Sequence, residues 1–231
     1  MPVDKDTMIE AIDVNKEYRR AGAIIRALGD VNLTIKSGEF VLVQGPTGCG
    51  KSTLLNVLSG IDLPDSGKII FDGENIARAQ EARLSKLRRQ KIGFVFQDFN
   101  LIPTLTAIEN VEALLWPTVL REKEIENRAI AALRDVSLLE RKDHYPVQMS
   151  GGEKQRCGLA RAIIHRPRVI LADEPTGNLD PESEKQVMDL LKQINKDMET
   201  TIIVVTHRGS LSSYASKIIK MDKGIITNIQ K

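Results

Sequence analysis

The chain has 231 residues, 42% of them apolar, with 33 Lys and Arg against 31 Asp and Glu and a net charge of +2. That profile is long enough for a sizeable core, excludes disordered, collagenous and low-complexity classes, and gives no support for a whole-molecule attraction to nucleic acid or anionic lipid. Cys49 and Cys157 are too few for a disulfide framework, no apolar run approaches the roughly 18 residues that span a bilayer, and residues 1–10, with Asp4, Asp6 and Glu10, lack the core of a signal peptide, so a soluble chain in a reducing, cytosolic setting is expected.

In chain order, Val31, Leu33 and Ile35 alternate with polar residues, the period of a half-buried strand, and Ser37-Gly38 then turns the chain. Phe40-Val41-Leu42-Val43 is apolar at every position, as in a strand covered on both faces. Residues 45–50 lead into a helical run with Leu54, Leu55 and Leu58, closed by Gly60 as a C-cap. Lys68-Ile69-Ile70-Phe71 with Asp72-Gly73 predicts a strand and tight turn. Residues 105–141 are mostly helical by composition, with Ile125, Ala129, Ala132 and Leu133 at helical spacing and Trp116-Pro117 as an interruption. Strand–helix alternation then returns. Val169-Ile170-Leu171-Ala172 and Ile202-Ile203-Val204-Val205 are buried strands, and between them Asp180-Pro181 starts a helix with Val187, Leu190, Leu191 and Ile194 on one face. The alternation predicts an α/β fold with a largely parallel sheet, and the helical middle reads as an insertion into it.

Gly45-Pro46-Thr47-Gly48-Cys49-Gly50-Lys51-Ser52 fits the phosphate-loop pattern G-x-x-x-x-G-K-[ST] without a mismatch, between an apolar strand and a helix. Backbone N–H groups of such a loop curl around phosphate oxygens, and the following helix points its positive end at them. Lys51 would reach the β- and γ-phosphates, and the Ser52 hydroxyl would bind Mg²⁺. Cys49 lies in the same loop near a helix amino terminus, where thiols can be reactive; protection from alkylation by nucleotide is one expectation, and a small side chain that merely fits is the other. Asp173, where an apolar strand ends, would hold Mg²⁺ through water, and Glu174 would orient or deprotonate the attacking water. His207 ends the next strand at the same sheet edge, whereas His144 and His165 are read as structural. These parts indicate a P-loop nucleotide hydrolase without separating kinase, GTPase and transport ATPase. Met149-Ser150-Gly151-Gly152-Glu153-Lys154-Gln155 adds a capping box, S-x-x-E, at the start of a helix running to about His165, a helix end that is itself an anion site.

With that segment the sequence resembles the nucleotide-binding subunits of ABC (ATP-binding cassette) transporters over about residues 8–228. Gly45 to Ser52 is similar to the Walker A loop and Gln97 to the Q-loop glutamine. Ser150-Gly151-Gly152-Glu153 is similar to the signature motif, and residues 169–174 to Walker B with its catalytic glutamate. Gly177-Asn178-Leu179-Asp180 resembles the D-loop, His207 the switch histidine, and Tyr18 the aromatic that stacks on adenine. Met149 stands for the usual leucine, and Glu153 for the usual glutamine, which adds negative charge near a bound γ-phosphate. Residues 99–111 and Thr53-Leu54-Leu55-Asn56 resemble the macrolide-exporter and lipoprotein-release type.

The resemblance implies a P-loop NTPase cassette: a mostly parallel core with an antiparallel β subdomain, about residues 1–97 and 158–231, and an inserted α-helical subdomain, about 98–157. It implies ATP and Mg²⁺ as ligands. Glu174, His207, Lys51 and Gln97 would be catalytic, and Ser52, Gln97 and Asp173 would hold the metal. Tyr18, residues 45–53 including Thr53, Gln97, Ser150, Gly151, Gly152, Glu153, Asp180 and His207 would bind nucleotide. It also implies a head-to-tail homodimer around two ATP molecules, an integral membrane partner met through the helical insertion, a peripheral place on the cytoplasmic face of the membrane, and no nucleic acid. The alternative is a non-transport ATPase of the same type acting on DNA or the ribosome, for which the basic run Arg83, Lys86, Arg88, Arg89, Lys91 is the only candidate contact; a solvated helix face is the simpler reading.

Overall fold

The computed structural model describes residues 6–20 and 22–230, so the acidic amino-terminal segment that includes Asp4 lies outside the described residues. Two sheets organise the chain. The first is a four-stranded antiparallel sheet in the order β2-β1-β4-β5, built from β1 (Thr7–Arg20), β2 (Ala23–Lys36), β4 (Ser66–Phe71) and β5 (Glu74–Asn75). The second has six strands in the order β10-β9-β3-β8-β7-β6, comprising β3 (Phe40–Gln44), β6 (Ile92–Phe96), β7 (Val169–Asp173), β8 (Thr201–Thr206), β9 (Lys217–Asp222) and β10 (Ile225–Gln230). All its pairings are parallel except β9 with β10, so the expected mostly parallel sheet is present with one antiparallel edge.

The continuous apolar strands follow from burial on both faces. Phe40, Leu42, Ile170, Ala172, Ile202 and Val204 point into one core cluster, with α5 (Gly151–Ile163) and α6 (Pro181–Met198). Their alternates Val41, Val43, Val169, Leu171, Ile203 and Val205 point into the other, with α1 (Lys51–Leu58) and the antiparallel sheet. Period-two alternation with oil on both sides leaves no polar position, which is why these strands read as unbroken apolar blocks.

Local signals match their elements. Asp72 and Gly73, at φ 49° and 80°, make the tight turn between β4 and β5. α1 ends at Leu58 with Ser59 as its cap and Gly60 just beyond. The helical middle divides into α3 (Ala107–Glu112) and α4 (Glu122–Asp135), and Trp116-Pro117 falls in the gap between them. Asp180 caps α6, accepting from the amides of Glu182 and Ser183 at 3.0 Å each. The basic run lies on α2 (Glu81–Lys91), where Arg83 pairs with Glu74, Arg88 with Glu81, and Lys91 with Asp72 at 2.6 Å. Most of its cations are therefore neutralised within the chain. No helix among the described residues is long and apolar enough to cross a membrane.

Candidate functional site

The carboxyl ends of β6 and β7 and the loop after β3 open onto one cleft of about 660 Å³, a size that suits a nucleotide. Its floor is the loop between β3 and α1. Gly50, the N-cap of α1, has φ 103°, and a Cβ there would lie 2.4 Å from the Ala27 carbonyl oxygen; only glycine fits. The first turn of α1 carries no acidic residue, so its positive end is left for an anion. The buried Lys51 folds back and donates from Nζ to the carbonyls of Gly45 and Pro46, both at 2.9 Å. Thr47, Gly48, Ser52 and Thr53 line the cleft. Cys49 does not offer its thiol to the cleft: it is 4% exposed and packs in the core cluster under the sheet, while its carbonyl accepts the Gly224 amide at 2.9 Å. The packed position favours the fitted side chain over the reactive thiol.

Ser52 Oγ donates to Asp173 Oδ1 at 3.1 Å, joining the loop to the end of β7. Burial raises the Asp173 pKa above the ordinary carboxylate range, the Glu174 charge adds to that, and the Ser52 hydrogen bond and Lys51 charge oppose it. A partly buried carboxylate short of positive charge, beside a hydroxyl, is an oxygen donor set suited to a hard divalent ion. Among the described residues no cluster of three or more His, Cys, Asp and Glu could hold a metal, so such an ion would need phosphate oxygens to complete its shell. Glu174 Oε2 accepts from His207 Nδ1 at 2.8 Å. Glu174 itself has φ 47°, a left-handed backbone that a non-glycine residue adopts only when its surroundings hold it there.

Tyr18 walls the far end of the cleft. Its hydroxyl donates to Asp62 Oδ2 at 2.6 Å, Lys16 Nζ sits 5.3 Å from its ring centre, and Ile25 faces it across the β1–β2 ladder. Burial, followed by the bond to Asp62, pushes the phenol up to about 12, so the ring stays neutral. Gln97, after β6, lines the cleft, but its amide turns to Asn178 Oδ1 at 3.3 Å rather than to Ser52 or Asp173. Asp180 does not line the cleft; its carboxylate is committed to capping α6.

Ser150, Gly151, Gly152 and Glu153 also lie away from the cleft, at the start of α5. Both capping-box bonds form: Glu153 N–H donates to Ser150 Oγ at 3.2 Å and Ser150 N–H to Glu153 Oε2 at 2.8 Å. Arg141 Nε takes the other carboxylate oxygen at 3.0 Å. The Ser150 amide first, and Arg141 with it, hold the Glu153 pKa below the usual carboxylate range against burial. A Cβ on Gly152 would stand 2.8 Å from Ser183 Oγ, so this helix end packs tightly on the start of α6.

Lys223 and Gly224 line the cleft as well, and the sequence reading passed over them. They form the β9–β10 turn, and Gly224 also accepts the Gly29 amide at 2.9 Å. Asp222-Lys223-Gly224 is a legible turn signal, but nothing local says that the turn abuts the phosphate loop. Arg208, which bonds Glu184 and the Gly177 carbonyl, was missed for the same reason.

The sequence profile described as "ABC transporter" matches residues 28–177. An uncharacterised ABC transporter ATP-binding protein of Methanocaldococcus jannaschii is 47% identical over 225 residues, covering 96% of this chain and 99% of that protein. The macrolide export ATP-binding/permease protein MacB of Chlorobaculum tepidum is 39% identical, over 97% of this chain but 34% of its own length. Among solved structures, a dimeric ATP-binding cassette in a post-hydrolysis state, bound to ADP and Pi, superimposes with a TM-score of 0.90 at 41% identity, covering 97% of this chain and 98% of that one.

Proposed function

The chain belongs to the ABC transporter family as one of its ATP-binding cassettes, an ATPase, and on that footing we propose that two copies close head to tail around two ATP molecules to drive a separate integral membrane subunit. The observation that carries this reading is a division within the chain. Phosphate loop, Asp173 and Glu174 line one cleft and His207 is hydrogen-bonded to Glu174, while the capped amino terminus of α5, an anion site by its own geometry, does not reach it. A second copy supplies what each cleft lacks.

In the closed pair, Tyr18 would stack on adenine and Lys51 would exchange the Gly45 and Pro46 carbonyls for β- and γ-phosphate oxygens. Ser52, Asp173 and Gln97 would hold Mg²⁺, whose charge neutralises those oxygens. Ser150, Gly151 and Gly152 of the second copy would cap the γ-phosphate. Glu174 accepts the proton of the attacking water as the new P–O bond forms and the bond to the β-phosphate oxygen breaks, with His207 holding the carboxylate by the hydrogen bond already in place. Release of phosphate removes the charge that joined the halves.

The helical segment 98–157 is assigned to docking the membrane subunit, which puts the cassette at the cytoplasmic face as a peripheral protein. The likeness to MacB favours export as the direction. Three of the five cations of the basic run on α2 are spent on internal ion pairs, which disfavours a nucleic-acid partner. Glu174→Gln is the direct test. It should keep ATP binding, slow phosphate release by roughly 10² or more, and give an ATP-dependent dimer in gel filtration. A variant that stays monomeric with ATP bound sinks the shared-site reading.

A further inference from the structure

The loop after β8 carries a second cross-link beside His207. Arg208 donates from one guanidinium nitrogen to Glu184 of α6 and from another to the Gly177 carbonyl at 3.3 Å. Its amide donates to Thr206 Oγ1 at 3.0 Å, and its carbonyl accepts from Gln44, at the end of β3, at 3.3 Å. Glu184 is pinned in turn, its Oε2 accepting from Thr176 Oγ1 at 3.0 Å. The pair is mostly shielded, with side chains 30% and 14% exposed. Neither residue lines the nucleotide cleft.

These bonds close a ring around the hydrolytic pair. Glu174 meets His207 at 2.8 Å, His207 leads along the chain to Arg208, Arg208 holds the Gly177 carbonyl, and the Gly177 amide returns to the Glu174 carbonyl at 3.0 Å. Glu174 sits in its left-handed conformation at one corner of this ring. A strained residue keeps its place only where neighbours over-determine it, and the planar fork of an arginine gives the carboxylate and the carbonyl separate nitrogens held in one plane, where a lysine offers a single nitrogen on a flexible stem. Gly177 also begins the segment whose Asn178 receives the Gln97 amide, so the same anchor reaches a residue expected to hold the metal.

We propose that Arg208, anchored on Glu184, is a positioning residue for hydrolysis: it fixes the 175–180 loop against the His207 loop and so sets the geometry of Glu174 and His207. This rests on Glu174 and His207 being the hydrolytic pair.

The test compares phosphate release, ATP affinity and thermal unfolding for the full chain and for Arg208→Ala, Arg208→Lys and the near-isosteric Glu184→Gln. Arg208→Ala should lower kcat roughly 10- to 100-fold, the scale of a small misplacement of reacting groups. KM should stay within about twofold, because the cleft itself is untouched. Arg208→Lys should recover part of the loss by keeping the charge on Glu184, and Glu184→Gln should show a smaller loss of the same kind. A kcat within about twofold of wild type in folded Arg208→Ala overturns the proposal. So does a loss that merely tracks the folded fraction while Glu184→Gln is unaffected. If instead the wild-type chain binds ATP and releases no phosphate, the hydrolytic reading fails and takes this proposal with it.

Discussion

At the scale of single residues, the Glu153 departure from the family pattern and the two thiols are resolved by what each side chain touches. Glu153 brings a charge where the family carries an amide, yet that charge is absorbed by the Ser150 amide and Arg141 within the same subdomain, so repulsion of a γ-phosphate is blunted. Burial pushes the Cys157 thiol up to about 12, and Cys49 is packed inward. Alkylation of the native chain should therefore be slow at both cysteines and equal with and without Mg-ATP; nucleotide protection at Cys49, read by mass spectrometry, would contradict the packed arrangement. His165 bears out its structural reading. Burial lowers its pKa from 6.5 to about 4, while its one bond, Nε2–H to the Ile92 carbonyl at 3.2 Å, opposes the shift. The unfolded chain binds the proton first, so stability is lost as pH falls from about 6.5 to about 4, by of order 3 kcal/mol at the acid end. That share of the fall corresponds to roughly 6–12 °C in Tm, and His165→Gln should flatten the Tm profile in that window.

At the scale of elements, the helices that matter to the site are set by their first turns. α5 and α3 use the same device, Ser150 with Glu153 and Thr106 with Glu109, each closing both capping bonds. α6 uses Asp180 and Pro181. Ser150→Ala removes one cap bond at an end that must also present its amides to phosphate, and should cost about 1 kcal/mol of stability, or roughly 2–4 °C in Tm. A loss of hydrolysis well beyond that fall in folded fraction is expected, because in the proposed dimer the hydroxyl and the aligned amides would serve the partner's ATP. Ser150→Thr, which keeps the cap, separates the two effects. The caps of α5 and α6 were legible because they are local patterns within four contiguous residues. The β1–β2 hairpin and the β9–β10 edge were not, since half-exposed strands such as β10 carry no apolar block and their pairing depends on partners far along the chain.

At the scale of the whole molecule, the proposed assembly gives each chain two half-sites, the cleft and the α5 terminus that does not line it. Mixing therefore tests the architecture more sharply than any single variant. A Lys51→Ala chain has a disabled cleft but an intact α5 terminus, and a Gly151→Asp chain has the reverse. Each alone should release little phosphate, whereas an equimolar mixture should recover activity through mixed dimers that contain one complete site. No recovery, with both variants folded and binding each other, would falsify the split-site assembly. The 660 Å³ cleft is open and polar along its floor, consistent with a site finished by closure rather than preformed.

By itself, the sequence determined the phosphate loop, the buried parallel strands, the capped helices and the family, because each is written in contiguous residues whose spacing has a direct physical cause. Only the tertiary structure decided where those pieces converge. It turned Cys49 inward, kept Asp180 on its helix, swung the Gln97 amide onto Asn178, and brought Lys223 and Gly224 against the phosphate loop. The tie between Arg208, Glu184 and Gly177 is of the same kind. Contacts across tens of residues depend on strand order and register, and a short-range pattern carries no record of which distant backbone will lie beside it.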